Sequence, residues 1–226
     1  MDRERIERII ENKYSLLLFF LVILLAGSAF TAHNDMMHYT VGSLFAMVVF
    51  IIMLKILRAS RLLFAAYITL SFLALLLHYL AVFVVHSKSL GTVAIIVYIL
   101  MIGILIVFMT RRIFSERLVT GDTIKGGISV YIMMGTWWQM VYQLLWMCDP
   151  RSFLFPGGTV GQGDFLYYSI STITCLGFGD IVPRSYPAKL FSVVEALVGQ
   201  LYVAVFVARL VGLHVAVHAR KHNDGR

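Results

Sequence analysis

Six predominantly apolar stretches, each near the ~20 residues a helix needs to cross the hydrocarbon of a bilayer, decide what this chain can fold into. They run approximately Tyr14–Ala32, Tyr39–Leu57, Leu62–Val85, Leu90–Thr110, Gly127–Cys148 and Leu190–Leu213. Lipid offers no partner for backbone N–H and C=O groups, so each stretch is expected to be a helix that pairs its own. Composition agrees: 60% of the 226 residues are hydrophobic and 14% charged, against about 25% charged in soluble domains. The net charge of +7 does not read as a nucleic-acid footprint. Of the 19 Lys and Arg, only Lys88, Arg151, Arg184 and Lys189 fall outside the segments assigned to one side of the spans. That asymmetry is the positive-inside pattern, and it places both termini in the cytoplasm. Lys55, Arg58 and Arg61 mark one inner turn, Arg111, Arg112, Arg117 and Lys125 another, and the 33–38 loop, free of Lys and Arg, faces outside.

The ends are less constrained. Residues 1–13 alternate acids and bases with Ile6, Ile9 and Ile10 at helical spacing, as in an amphipathic helix at the cytoplasmic surface or a solvated tail. Ala26-Gly27-Ser28-Ala29 has the look of a signal cleavage site, but the region before it is charge-balanced rather than basic, so a retained helix is expected. Residues 214–226 form a short cytoplasmic tail. Cys148 and Cys175 do not make a disulfide framework.

Between the last two spans lies Thr172-Ile173-Thr174-Cys175-Leu176-Gly177-Phe178-Gly179-Asp180. Gly177 and Gly179 permit positive φ at alternate residues, the condition for successive carbonyls to face one axis. The lysine and helix start of a phosphate-cradling loop are missing. Asp149-Pro150 stops the fifth span, Pro156-Gly157-Gly158 forms a turret, and Asp164 is placed to cap a short helix through about Thr174.

This stretch resembles the potassium-channel selectivity filter T-x-x-T-V-G-Y-G-D, and with it the chain resembles prokaryotic potassium channels of the tetrameric P-loop cation channel superfamily. The likeness is specific over about Asp164 to Arg209 and general elsewhere. It implies an all-α integral membrane protein of six transmembrane helices, with a re-entrant pore helix and filter loop between helices 5 and 6. In that plan residues 14–112 are a peripheral four-helix domain and residues 113–213 the pore domain, entered through an interfacial linker over Arg112 to Lys125. Thr174, Cys175, Leu176, Gly177 and Phe178, with Gly179 and Asp180, would form the ion-binding filter, its carbonyls replacing the water of K+. Tyr167 and Tyr168 would form an aromatic cuff. Glu195, alone among carboxylates within a span, is expected to bond behind the filter to hydroxyls such as Ser171 or Thr172; the alternative is a solvated place near the outer interface. Gly199 falls at the family's hinge glycine, with Gln200, Val203 and Val207 lining the cavity.

The function implied is passive K+ conduction through a homotetramer in the plasma (inner) membrane. Its partners would be the lipid bilayer and K+, with no nucleic acid, no cofactor beyond the ions in the filter, and no enzymatic activity. Two departures define the competing reading, a weakly selective cation channel. Phe178 lacks the hydroxyl of the usual tyrosine, and Cys175 offers a soft thiol where the family has threonine. A potassium-uptake transporter subunit would carry four degenerate loops, and this chain has one.

The first four spans resemble a voltage-sensor bundle without its charges. Leu90–Thr110 contains no Arg or Lys, and no Asp or Glu occurs between Asp35 and Glu116, so no gating charge can move through the field. His33, His38, His78 and His86 suit interfacial positions better than a pH or metal sensor, and Gly42 and Gly103 suit helix packing. Nothing in the sequence identifies a gating stimulus.

Overall fold

The computed structural model describes residues 13–31, scattered positions between 69 and 80, and residues 88–116, 120–158, 160, 161 and 163–224. The charged N-terminus (1–12), the second span, most of the third, Gly42 and the histidines at 33, 38, 78 and 86 lie outside the described residues.

The main helices of the described residues are α1 (Lys13–Thr31), α2 (Lys88–Ser115), α3 (Gly121–Cys148), α4 (Asp164–Ile173) and α5 (Tyr186–Asp224). By length and composition, Ser89–Ser115 and Tyr186–Leu213 can cross a membrane, and Tyr14–Gly27 is a shorter apolar helix. The 10-residue α4 rises only ~15 Å and cannot. A two-residue ladder joins Phe153–Leu154 (β1) to Val182–Pro183 (β2). Among the described residues, the mostly helical fold thus has one small exception. Arg184 N–H extends the ladder by donating to Ser152 O at 2.7 Å, which fastens the chain on both sides of the 164–180 segment.

Most of the stretch from Arg112 to Lys125, expected as an interfacial linker, belongs to the helices on either side of it. α2 runs on through Ser115 and α3 already begins at Gly121. The start of α3 is set by Thr120, whose hydroxyl accepts from Thr123 N–H at 3.2 Å while Thr123 Oγ1 accepts from Thr120 N–H at 3.4 Å. Such a reciprocal box satisfies two backbone donors near a helix start. So short a connection keeps neighbours in sequence adjacent in space, and α1 and α2 both pack on α3 of their own chain.

The first core gathers Tyr14, Leu17 and Leu21 of α1, Met101, Leu105, Met109 and Ile113 of α2, Val130 and Met133 of α3, and Tyr202 and Phe206 of α5. The α1 residues recur three and four apart, one face of a helix. Polar ties fix the register. Tyr14 N–H donates to Asp122 at 2.9 Å, Lys125 Nζ to Ser15 at 2.7 Å, and Trp137 Nε1 to Ile99 O at 2.8 Å.

Arg209 of α5 joins the end of α2. Its guanidinium donates to Ile113 O at 2.8 Å and Glu116 O at 2.5 Å, and lies 5.1 Å from the centroid of the Phe114 ring. A cation is favoured at the C-terminal carbonyls of a helix, and a planar fork can hold two at once. Arg209→Ala is expected to cost about 2 kcal/mol, the scale of hydrogen bonds to a charged group. Arg209→Lys should not restore it, because an ammonium cannot span both carbonyls while stacking. Thermal unfolding of the two variants in detergent checks this.

Candidate functional site: the 164–180 segment

α4 is amphipathic, with Phe165, Leu166, Tyr168, Ser169, Ser171 and Ile173 buried. Phe165 and Tyr168 join Trp138, Tyr142, Phe153, Phe155, Ile173, Ile181 and Ala188 in a second, aromatic-rich core. Tyr142 and Tyr168 meet edge to face at 5.0 Å, a preferred geometry for aromatic pairs. Asp164 does not occupy the capping position expected of it. The N-cap is Gly163, and Asp164, one residue on, accepts from Gly161 N–H at 2.7 Å, closing the loop that enters the helix.

After Ile173 the backbone leaves the helix in an alternating conformation. Cys175, Gly177 and Gly179 have φ of 59°, 58° and 78°. Every second residue is therefore left-handed, which lets consecutive carbonyls point to the same side. The amides turn the other way. Cys175 N–H donates to Thr172 O at 3.0 Å, and Leu176 and Gly177 N–H both donate to Ser171 O, at 2.9 and 3.2 Å. The end of α4 thus accepts the N–H groups of the segment that follows it. Among the described residues, no backbone N–H of the chain engages the carbonyl of Thr174, Cys175, Leu176, Gly177 or Phe178. A row of backbone carbonyls is left for something outside the chain.

The backbone at Cys175 is a feature the sequence does not announce. An L-residue at φ near +60° costs about 1–2 kcal/mol, so the segment stores strain at the one position where a side chain stands in the left-handed conformation. Its exposed thiol accepts from Gln200 Nε2 at 3.2 Å, bringing Gln200 of α5 directly to the start of the segment. Val203 and Val207 are exposed three and seven residues further on, on the same face of the helix. A soft thiol is a ligand for soft cations. Silver or cadmium applied from the Gln200 side is expected to block any flux, and Cys175→Thr to remove the block; persistence of the block in that variant would contradict it.

The cuff residues divide their work. Tyr167 stacks on Phe178 at 5.9 Å and 10° between planes. A ring stack thus stands where Phe178 has no hydroxyl to offer. Tyr168 points inward and pairs with Ser192 of α5 at 2.6 Å.

Glu195 reaches a hydroxyl of α4, but the partner is Ser169, not Ser171 or Thr172. Glu195 Oε1 lies 2.5 Å from Ser169 Oγ, and Oε2 lies 2.5 Å from the hydroxyl of Tyr142 on α3. Ser171 and Thr172 instead donate along their own helix to Tyr168 O, at 2.9 and 2.8 Å. The solvated placement is also excluded, for Glu195 is 0% exposed. Sequence reasoning misses Tyr142 and Ser169. Neither carries a motif, and they stand 53 and 26 residues from the carboxylate.

Gly199 does not act as a kink here, since α5 is one helix from Tyr186 to Asp224. Its reason for being glycine is a close approach. A Cβ there would lie 2.7 Å from Ile173 Cγ1 and closer still to the Ile173 carbonyl oxygen. That oxygen is also the acceptor for the Tyr131 hydroxyl of α3 at 2.8 Å, so the end of α4 is wedged between α3 and α5.

Residues 124–214 match a protein-family model described as an ion channel. The match takes in nearly all of α3, α4, the segment after it, and α5 through His214. No curated protein and no solved structure matches the chain. Over these residues the chain is therefore similar to ion channels, and conducting ions across a membrane is the activity that this likeness supports.

Proposed function

We propose that this chain, with the ion-channel domain of residues 124–214 as its working part, is the subunit of a passive potassium channel. In this reading it has six spans, α4 is a re-entrant pore helix, and Thr174 to Asp180 form the selectivity filter of a homotetramer in the cell membrane. The observation that carries it is the left-handed alternation at Cys175, Gly177 and Gly179, with every amide from 175 to 177 turned back to α4. A dehydrated cation needs a stack of oxygens with no competing donor, and this backbone presents one.

The need for further copies follows from exposure. All residues from 174 to 180 are exposed in the single chain, Leu176 and Phe178 by 62% and 65%. Leu197, Leu201 and Val205 of α5 are exposed as well. One chain supplies one wall of a pore, and closed rotational symmetry supplies the others. No gating charge is present along α2, whose Arg111 and Arg112 fall near its inner end, so conduction is not intrinsically voltage-sensing. The protein needs no cofactor, no catalytic group and no nucleic acid, only K+, lipid and its own copies, with both termini cytoplasmic.

A weakly selective cation pore is the second reading, favoured by one observation: Phe178 is held by a stack rather than a hydroxyl tether. Purified protein in K+-loaded liposomes tests the common core of both. Potassium efflux from a species whose native mass is four chains is expected, and a monomer or dimer that conducts equally well would overturn the tetrameric pore.

A further inference from the structure

Three oxygen–oxygen contacts run in series through the buried space between α3, α4 and α5. Tyr142 Oη meets Glu195 Oε2 at 2.5 Å, Glu195 Oε1 meets Ser169 Oγ at 2.5 Å, and Ser169 Oγ meets the carbonyl oxygen of Gly135 at 2.7 Å. Each contact at such a distance needs a proton between its two oxygens, since otherwise lone pair faces lone pair. The Gly135 carbonyl has none to give. The Tyr142 and Ser169 hydroxyls have one each. Three contacts therefore need a third proton, and the remaining place for it is the Glu195 carboxyl.

We propose that Glu195 is a neutral carboxylic acid whose proton locks the three helices together. Its Oε1–H donates to Ser169 Oγ, Ser169 donates on to Gly135 O, and Oε2 accepts from Tyr142. In the ionised form Ser169 would have one proton for two acceptors, leaving either the carboxylate or the Gly135 carbonyl facing an oxygen unpaired. The surroundings agree. Glu195 is 0% exposed, and the ion pair seen among the described residues, Arg151 with Asp149, belongs to an exposed loop elsewhere. Among the described residues, the groups bonded to it are neutral hydroxyls, Tyr142 from α3 and Ser169 from α4, and the titratable groups next to these are again hydroxyls, Tyr131 on α3 and Tyr168 on α4. A buried carboxylate with no cation is among the costliest groups a protein can hold, whereas a neutral acid with both oxygens bonded is not.

The consequence is positional. α3 and α5 grip α4 through one proton chain at Ser169, five residues before Thr174 begins the proposed filter. Glu195 is therefore a positioning residue that acts through Ser169.

What the lock supports rests on the pore reading, but its test does not use conduction. Infrared spectra of the reconstituted full chain should contain the carbonyl stretch of an un-ionised carboxylic acid, shifting in D2O and lost in Glu195→Gln. Glu195→Gln should also melt with the wild type, because its amide donates to Ser169 and accepts from Tyr142 as the acid does, while Glu195→Ala melts well below. No band lost in Glu195→Gln, or a Glu195→Gln that folds yet melts as low as Glu195→Ala, would overturn the proposal. If Glu195→Gln fails to fold, Tyr142→Phe decides: the acid band must shift upward as Oε2 loses its bond, and a spectrum without that shift overturns the proposal. A band present in a wild type that carries no K+ would sink the pore reading and leave the protonated acid standing.

Discussion

Gly199→Ala is expected to abolish potassium flux while leaving the chain helical and membrane-inserted. The added methyl would press on the Ile173 carbonyl oxygen and lie 2.7 Å from Ile173 Cγ1. The end of α4 cannot retreat, because Tyr131 holds that same oxygen from α3. Overpacking of this kind costs about 1–3 kcal/mol per site, and here the strain falls one residue before Thr174. Gly212→Ala is the control on the same helix, since a Cβ there meets nothing within 4 Å. Liposome flux of both variants checks the prediction. A hinge role for Gly199 would give a different result: altered opening of the proposed pore, with flux retained.

Gly177→Ala is expected to have a comparable effect for a different reason. Nothing lies within 4 Å of a Cβ at Gly177 in the single chain, so the penalty is conformational, at φ 58°. Holding an L-residue there costs about 1–2 kcal/mol, and the proposed fourfold symmetry would repeat it in every subunit around one ring. Cys175 already bears that strain at φ 59°, which leaves little tolerance two residues on. Flux should fall at least ~10-fold, the factor that 1.4 kcal/mol represents in an equilibrium constant, and K+ should no longer protect the protein against heat. A Gly177→Ala variant with normal flux would show that the left-handed alternation is not what presents the oxygens.

How much of this the sequence reveals depends on the range of each interaction. The left-handed turns at Gly177 and Gly179 are legible because they are written locally, in glycines, whereas the one at Cys175 is not. The start of α3 is not. Gly127 looks like its first residue, but the Thr120–Thr123 box begins the helix six residues earlier. Hydropathy weighs apolar side chains and does not register a reciprocal pair of threonines. Glu195 stands out as a carboxylate in a span, yet its partners are not identifiable, because Ser169, Ser171 and Thr172 are equivalent until the helix is rotated into place. Arg209 carries no local signal at all. It acts on carbonyls 96 and 93 residues away, and only the packing of α5 against the end of α2 brings them together.

The carbonyls of Thr174 to Phe178 form a potassium-selective stack, in the reading proposed above, despite Phe178 and Cys175. The most direct test is the reversal potential of the purified protein in planar bilayers, with potassium on one side and sodium on the other. A selective stack gives reversal near the potassium equilibrium potential. Reversal near zero would contradict it and assign the protein to the weakly selective pores.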